Sequence, residues 1–189
     1  MRRMALEPRD QVEGPYGPCL SPLRTAVDLA ARARQPWQIG AVDQLLRVTG
    51  LTTWAVRSAL EDERFRGMRG RTIARRALEQ ADPRSESVPE SELRLRIVRI
   101  GLPTPEPQLE VADEHGVFVG RLDLGWEEVR VGIEYDGGYH DDPDQYRQDR
   151  RRHNRFRSCG WTVYQVDRAT ARDEVALMRM LRPHFPRLT

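Results

Sequence analysis

Apolar residues recur at helical spacing through the first eighty residues and then change pattern. Ser21 followed by Pro22 is an N-cap with proline in the first turn, and it predicts a helix over 21–34. A second predicted helix, 38–48, carries Ile39, Val42, Leu45 and Leu46 on one side and stops at Gly50. A third, 52–63, carries Val56, Ala59 and Leu60, and a fourth, 71–80, ends before Asp82-Pro83. Residues 1–20 hold Gly14, Pro15, Gly17 and Pro18 among charges and read as a flexible arm. The expected division is therefore an arm over 1–20, a small all-helical region over 21–84, and a second domain over 85–189.

Beyond Ser85 the period shortens. Ser87 and Glu90 have capping-box spacing, and the helix they open carries Leu93, Ile97 and Ile100 on one face before Gly101. Pro103, Pro105 and Pro107 force an extended segment. Three strands are predicted at 108–112, 117–124 and 129–135, the first two as a hairpin, with turns at Glu114-His115-Gly116 and Glu127-Glu128. After a polar bend at 136–142 come a helix over 143–158, a strand over 161–166 and a helix over 170–181. The order helix, three strands, helix, strand, helix predicts an α/β fold with a mixed sheet and helices on its faces.

Composition narrows the chemistry. The chain has 189 residues, and all 31 of its Lys+Arg are arginine. No Schiff base and no GxxxxGK[ST] phosphate loop can form, and arginine is not a tunable base. Acid–base work falls to carboxylates, the 4 histidines or metal-bound water. The net charge is only +2, so any nucleic-acid surface must be local. Cys19 and Cys159 form no CxxC, which fits a reducing cytoplasm rather than a zinc site or disulfide framework. The charged opening MRRMALEPRD has no apolar run of a signal peptide, and no stretch predicts a membrane span.

Alternation along 131–136 puts Val131, Ile133 and Tyr135 on one face and Gly132, Glu134 and Asp136 on the other. If the neighbouring strand pairs through Glu127-Glu128, Asp123 and Glu134 approach each other on a partly buried sheet. Buried like charges repel unless a cation joins them, and oxygen-only ligands suit Mg²⁺ or Mn²⁺. The plainer alternative is that these acids form structural salt bridges with arginines. Asp136-Gly137-Gly138-Tyr139-His140 then makes a bend in which His140 is either a general acid or base or a surface histidine.

The next helix holds six arginines between 147 and 157. Arg147, Arg151 and Arg155 form one stripe, and Gln145, Asp149, Arg152 and Phe156 another that should face the domain body. The outward stripe, with Arg150, is either a phosphate-binding surface or a solvated helix face.

The run SESVPESELRLRIVRIGLPTPEPQ, followed by GRLDLGW, VGIEYDGGYH, QYRQDRRRHNRF and GWTVYQV, resembles a widespread bacterial domain of unknown function related to very-short-patch repair endonucleases, in the PD-(D/E)xK nuclease superfamily. The likeness covers 85–182. The segment SPLRTAVDLA is similar to the helical region preceding that domain in actinobacterial members. Those members often carry a winged-helix, antitoxin-like segment further upstream. This chain starts too late for one, which marks it as a short member or a truncated one.

The resemblance implies a restriction-endonuclease-like core and a metal-dependent DNA endonuclease using Mg²⁺ or Mn²⁺. It implies Asp123 and Glu134 as metal-binding acids, with the Tyr135 carbonyl and Glu92 as further ligands. Asp136 and His140 match the bend of the repair-endonuclease branch, and Gln145 and Asp149 match the polar helix face. The superfamily's lysine position holds Asp136, so proton transfer is assigned to His140, Asp136 or the metal. Arg147, Arg150, Arg151, Arg152 and Arg155 would hold DNA. The rival expectations are a non-catalytic nucleic-acid-binding or defence- or antitoxin-associated module of the same fold, and a protein partner held by residues 21–84.

Overall fold

The structure is a computed structural model that describes residues 6–136 and 143–186, the side chains of 143–149 excepted. The chain forms two compact units, Met1–Ser91 and Glu92–Thr189. Among the described residues no helix is long and apolar enough to cross a membrane.

The first unit contains helices α1 (Pro22–Ala30), α2 (Pro36–Thr49), α3 (Thr53–Leu60) and α4 (Arg71–Gln80). The Ser21 side chain caps α1 by accepting from the Arg24 amide. That helix ends four residues before its predicted limit, because Pro36 drives Gln35 into an extended conformation (φ −114°, ψ 150°). Thr52 caps α3, and Asp62 redirects the chain into a short 3-10 turn that removes residues 61–63 from the predicted helix.

Residues 8–20, expected to be a flexible arm, carry a 3-10 turn and an antiparallel hairpin of β1 (Gln11–Gly14) and β2 (Gly17–Leu20). What ties this segment down is Asp10, only 1% exposed. Its carboxylate accepts from Arg24 Nη1 at 3.1 Å and Arg64 Nη1 at 2.5 Å, and the Arg64 guanidinium lies 4.4 Å from the centre of the buried Phe65 ring. A buried acid needs such partners, since removing them would leave an uncompensated charge.

The division between the units falls within α5 (Val88–Arg99), where Ser87 and Glu90 form the expected cap: the Ser87 hydroxyl donates to Glu90 Oε1, and the Glu90 amide donates to Ser87 Oγ. The second unit begins in this helix. It continues through β3 (Glu106–Ala112), β4 (Phe118–Trp126), β5 (Val131–Asp136), α6 (Pro143–Ser158), β6 (Thr162–Asp167) and α7 (Glu174–Leu181). The sheet order is β3-β4-β5-β6; the first three strands run antiparallel in turn, and β5 and β6 run parallel. The parallel pair requires a crossover, and α6 supplies it.

The two faces of the sheet are unlike. One carries the larger apolar cluster: Leu124, Trp126, Val131, Ile133 and Val166 pack with Leu93 and Ile97 of α5 and Leu177 and Leu181 of α7. The other packs Leu109, Val111, Val119 and Leu122 against Phe156 of α6 and Trp161. Phe156 sits where Gly120 has no side chain; a Cβ there would stand 2.7 Å from the ring Cζ. This contact fixes how closely α6 approaches the sheet.

Two outcomes follow. Gly120→Ala should displace the Phe156 ring and cost about 1–3 kcal/mol of stability, read as a lowered urea midpoint of the full chain. Asp10 supplies the second. Burial alone would raise its carboxyl, but the Glu7 amide and the Arg64 and Arg24 guanidinium groups outweigh burial and hold it below the ordinary range. Its stabilisation is therefore complete above about pH 4 and is lost as the pH falls through the depressed folded value. Asp10→Asn should cost about 3 kcal/mol at neutral pH and flatten the acid limb of stability, measured by urea unfolding across the pH range.

Candidate functional site

The site grows from a break in strand alternation. Leu122 packs on the α6 side and Leu124 on the α5/α7 side, although strict alternation would put both on one face. The switch falls at Asp123, and opposite it on β3 Gln108 adopts a left-handed backbone (φ 54°). Asp123 is thereby aimed along the sheet: its Oδ2 accepts the Tyr135 amide of β5 at 2.7 Å. β4 and β5 pair through the Glu127–Val129 turn with Leu124 opposite Ile133, and Asp123, the next residue of β4, reaches the amide that follows Glu134.

Glu134 faces α6 and is 8% exposed. Its Oε1 accepts from Arg152 Nη2 at 2.6 Å, and its Oε2 lies 2.7 Å from His153 Nε2. A carboxylate so far from water requires charged or hydrogen-bonding partners, and α6 brings two from adjacent positions. Gly132, one inward step along the same face, makes room for the Leu122 side chain beneath it; a Cβ there would stand 2.3 Å from Leu122 Cδ1.

Asp136 ends β5 and is half-buried, with Asp167 opposite it at the end of parallel β6. Asp167 is turned into its own loop: the Thr170 side chain and amide hold its carboxyl below the usual range. Both acids therefore stand at the carboxyl ends of parallel strands, where α/β sheets commonly place their ligands.

Other expected residues are distributed as follows. Glu92 is closed onto Arg96 of its own helix at 2.6 Å. Among the described residues no group of three or more His, Cys, Asp or Glu side chains is placed to hold a metal ion. His140 lies outside the described residues, as do the side chains of Gln145, Arg147 and Asp149. Arg152 reaches inward, as its stripe with Phe156 implied, and Arg150, Arg151 and Arg155 are exposed on α6. Arg151 and Arg157 have no acid partner among the described residues, and Arg155 donates only to the Phe118 carbonyl, at 2.7 Å.

His153 is the residue the sequence reasoning passed over. Its signal was position: it precedes Phe156 by three residues and so shares the helix side that faces the sheet. It also lines a cleft of about 290 Å³ with Arg157, Trp161, Thr162, Val163 and Gln165.

The chain is similar to two uncharacterized proteins from two strains of Mycobacterium tuberculosis, each 33% identical over 147 residues. The match covers 77% of this chain and 53% of each relative, so the chain spans about half the length of the curated relatives it matches. No protein-family model matches the chain, and no solved structure matches it.

The clasp on Glu134 is measurable. The Arg152 side chain is 43% exposed, so Arg152→Ala should cost only about 1 kcal/mol in urea unfolding. Combined with Glu134→Gln, the losses should be less than additive, because the second change removes the charge that the first leaves unpaired.

Proposed function

We propose that residues 85–189 form a restriction-endonuclease-like nuclease domain that hydrolyses DNA phosphodiesters with Mg²⁺ or Mn²⁺. The observation that carries this reading is that acids of neighbouring strands lie at one place in the sheet: Asp123 of β4 accepts the Tyr135 amide, between Glu134 and Asp136 of β5. Support comes also from the order of elements, α-β-β-β-α-β-α, with three antiparallel strands and a fourth parallel to the third. That is the arrangement implied by the likeness to very-short-patch repair endonucleases.

The acids present fit a hard cation in part. Asp123 and Glu134 are the oxygen donors that would hold it, with the Tyr135 carbonyl beside them; Glu92, paired with Arg96, does not fit. When bound, the cation polarises a phosphate oxygen and lowers the pKa of a coordinated water. The chain's own groups do the rest. Arg152 and His153 hold Glu134 in a single orientation, so the carboxylate is placed before substrate arrives. Arg151, Arg155 and Arg157 offer exposed guanidinium groups to the phosphodiester backbone, where planar bidentate donors match phosphate oxygens. His140 and Asp136 remain the proton carriers assigned by the resemblance, and no lysine competes for that role.

A second reading has its own observation. Both Glu134 oxygens are occupied by α6, and Glu92 is occupied by Arg96, as in a fold kept for binding alone. A non-catalytic module of this kind would bind nucleic acid through α6 without cleaving it.

The deciding experiment is nicking of supercoiled plasmid by the full chain. The nuclease reading expects cleavage that needs Mg²⁺ or Mn²⁺ and falls by about a hundred-fold or more in Asp123→Ala and Glu134→Ala. Salt-sensitive DNA binding without cleavage in either metal, unaffected by Asp123→Ala, would establish the binding module instead.

A further inference from the structure

We propose that Phe118, whose carbonyl is held by Arg155 of α6, is a stacking subsite for an unpaired base, so that the substrate class is single-stranded or locally opened nucleic acid. This rests on the nucleic-acid reading above and narrows it.

The argument starts from a β-bulge. Val111 pairs with Gly120 and Ala112 with Phe118, which leaves Val119 as an extra residue in β4. Val119 and Gly120 are both buried against the α6-side core, and the bulge turns Phe118 outward. Bulges re-aim side chains in this way, often beside functional sites. Phe118 is left 56% exposed and its neighbour Val117 57% exposed. Phe118 and Val117 thus form an exposed apolar pair at the start of a strand, and an aromatic face open to solvent is available for stacking.

Charge says which ligand. Arg155 Nη2 donates to the Phe118 carbonyl at 2.7 Å, which anchors the guanidinium beside the residue that carries the ring. Its other N–H groups meet no acid among the described residues, and Arg151 stands one helical turn away on the same exposed stripe, also without an acid partner. Asp113, on the hairpin tip beside Phe118, is turned onto the amides of His115 and Val117, both at 2.9 Å, so its carboxylate is engaged by the turn itself. An exposed aromatic ring on a residue whose own carbonyl is held by an arginine matches the two parts of a nucleotide: base on ring, phosphate on arginine. In a duplex the base faces are covered by stacking on their neighbours, so this subsite accepts a base only from an unpaired strand. β4 then leads from Phe118 directly to Asp123, placing the subsite and the acids on one strand.

The test is fluorescence anisotropy of the full chain with labelled oligothymidine, the same strand carrying abasic sites, and a duplex of equal length, in EDTA to prevent cleavage. The expected result is tighter binding of the single strand than of the duplex. Phe118→Ala and Phe118→Leu should weaken single-strand binding about ten-fold, leave duplex binding nearly unchanged, and be rescued by Phe118→Trp. On the unmodified chain, the abasic strand should lose about as much affinity as Phe118→Ala loses on the intact strand, a result that stands even if a variant fails to fold. Equal binding of abasic and intact strands, or full affinity in a folded Phe118→Ala, would overturn the stacking subsite while leaving the α6 arginines as a phosphate surface. Failure of the unmodified chain to bind either strand or duplex would overturn the nucleic-acid reading itself.

Discussion

A carboxylate buried on a β-sheet cannot stand alone, and the architecture around Glu134 answers that constraint. Its charge needs partners within hydrogen-bonding distance, and the sheet around it offers mainly apolar side chains. The partners must come from the helix that crosses over the sheet. The parallel pairing of β5 and β6 demands a crossover; α6 makes it and carries Arg152 and His153 to the two Glu134 oxygens. Phe156 sets the depth of that helix against Gly120, and at that depth the arginine and histidine reach the acid.

The same geometry separates stability from chemistry. The face covered by α5 and α7 is mainly apolar and includes the Trp126–Phe185 edge-to-face contact, with centroids 5.2 Å apart. Trp126 Nε1–H there donates to the Pro103 carbonyl, so even its polar atom is matched within the core. The α6 face is mixed: apolar at Leu122 and Phe156, ionic at Glu134, and open along the arginine stripe. Asp123 belongs to neither face, because the alternation of β4 reverses at that residue. Sheet irregularities therefore account for both unusual placements, Asp123 aimed sideways and Phe118 turned outward.

Much of the fold was legible because its signals are local. Proline and serine at 21–22, the capping pair Ser87 and Glu90, and the alternation of 131–136 each act within a few residues, and the elements formed where they point. The errors arose where distant groups intervened. Glycine and proline content suggested a loose arm over 1–20, but Arg24 and Arg64 reach back to Asp10 and hold the segment. His153 escaped notice because its importance lies in what it touches, an acid 19 positions earlier on another strand.

Sequence alone settled the alternation that puts Glu134 on the face opposite Val131 and Ile133, the arginine-only composition, and the crowding of six arginines into one helix. Periodicity and residue chemistry are local properties, and they survive without knowledge of contacts. Which arginines remain open to an anion and which are spent on an acid was decided only in three dimensions. So was the reversal at Asp123, which depends on Gln108 across the strand pair, and the outward turn of Phe118, which depends on the register with β3. Register, ion pairing and bulges all join residues far apart in the chain, so their energies are set only when the sheet and α6 have come together.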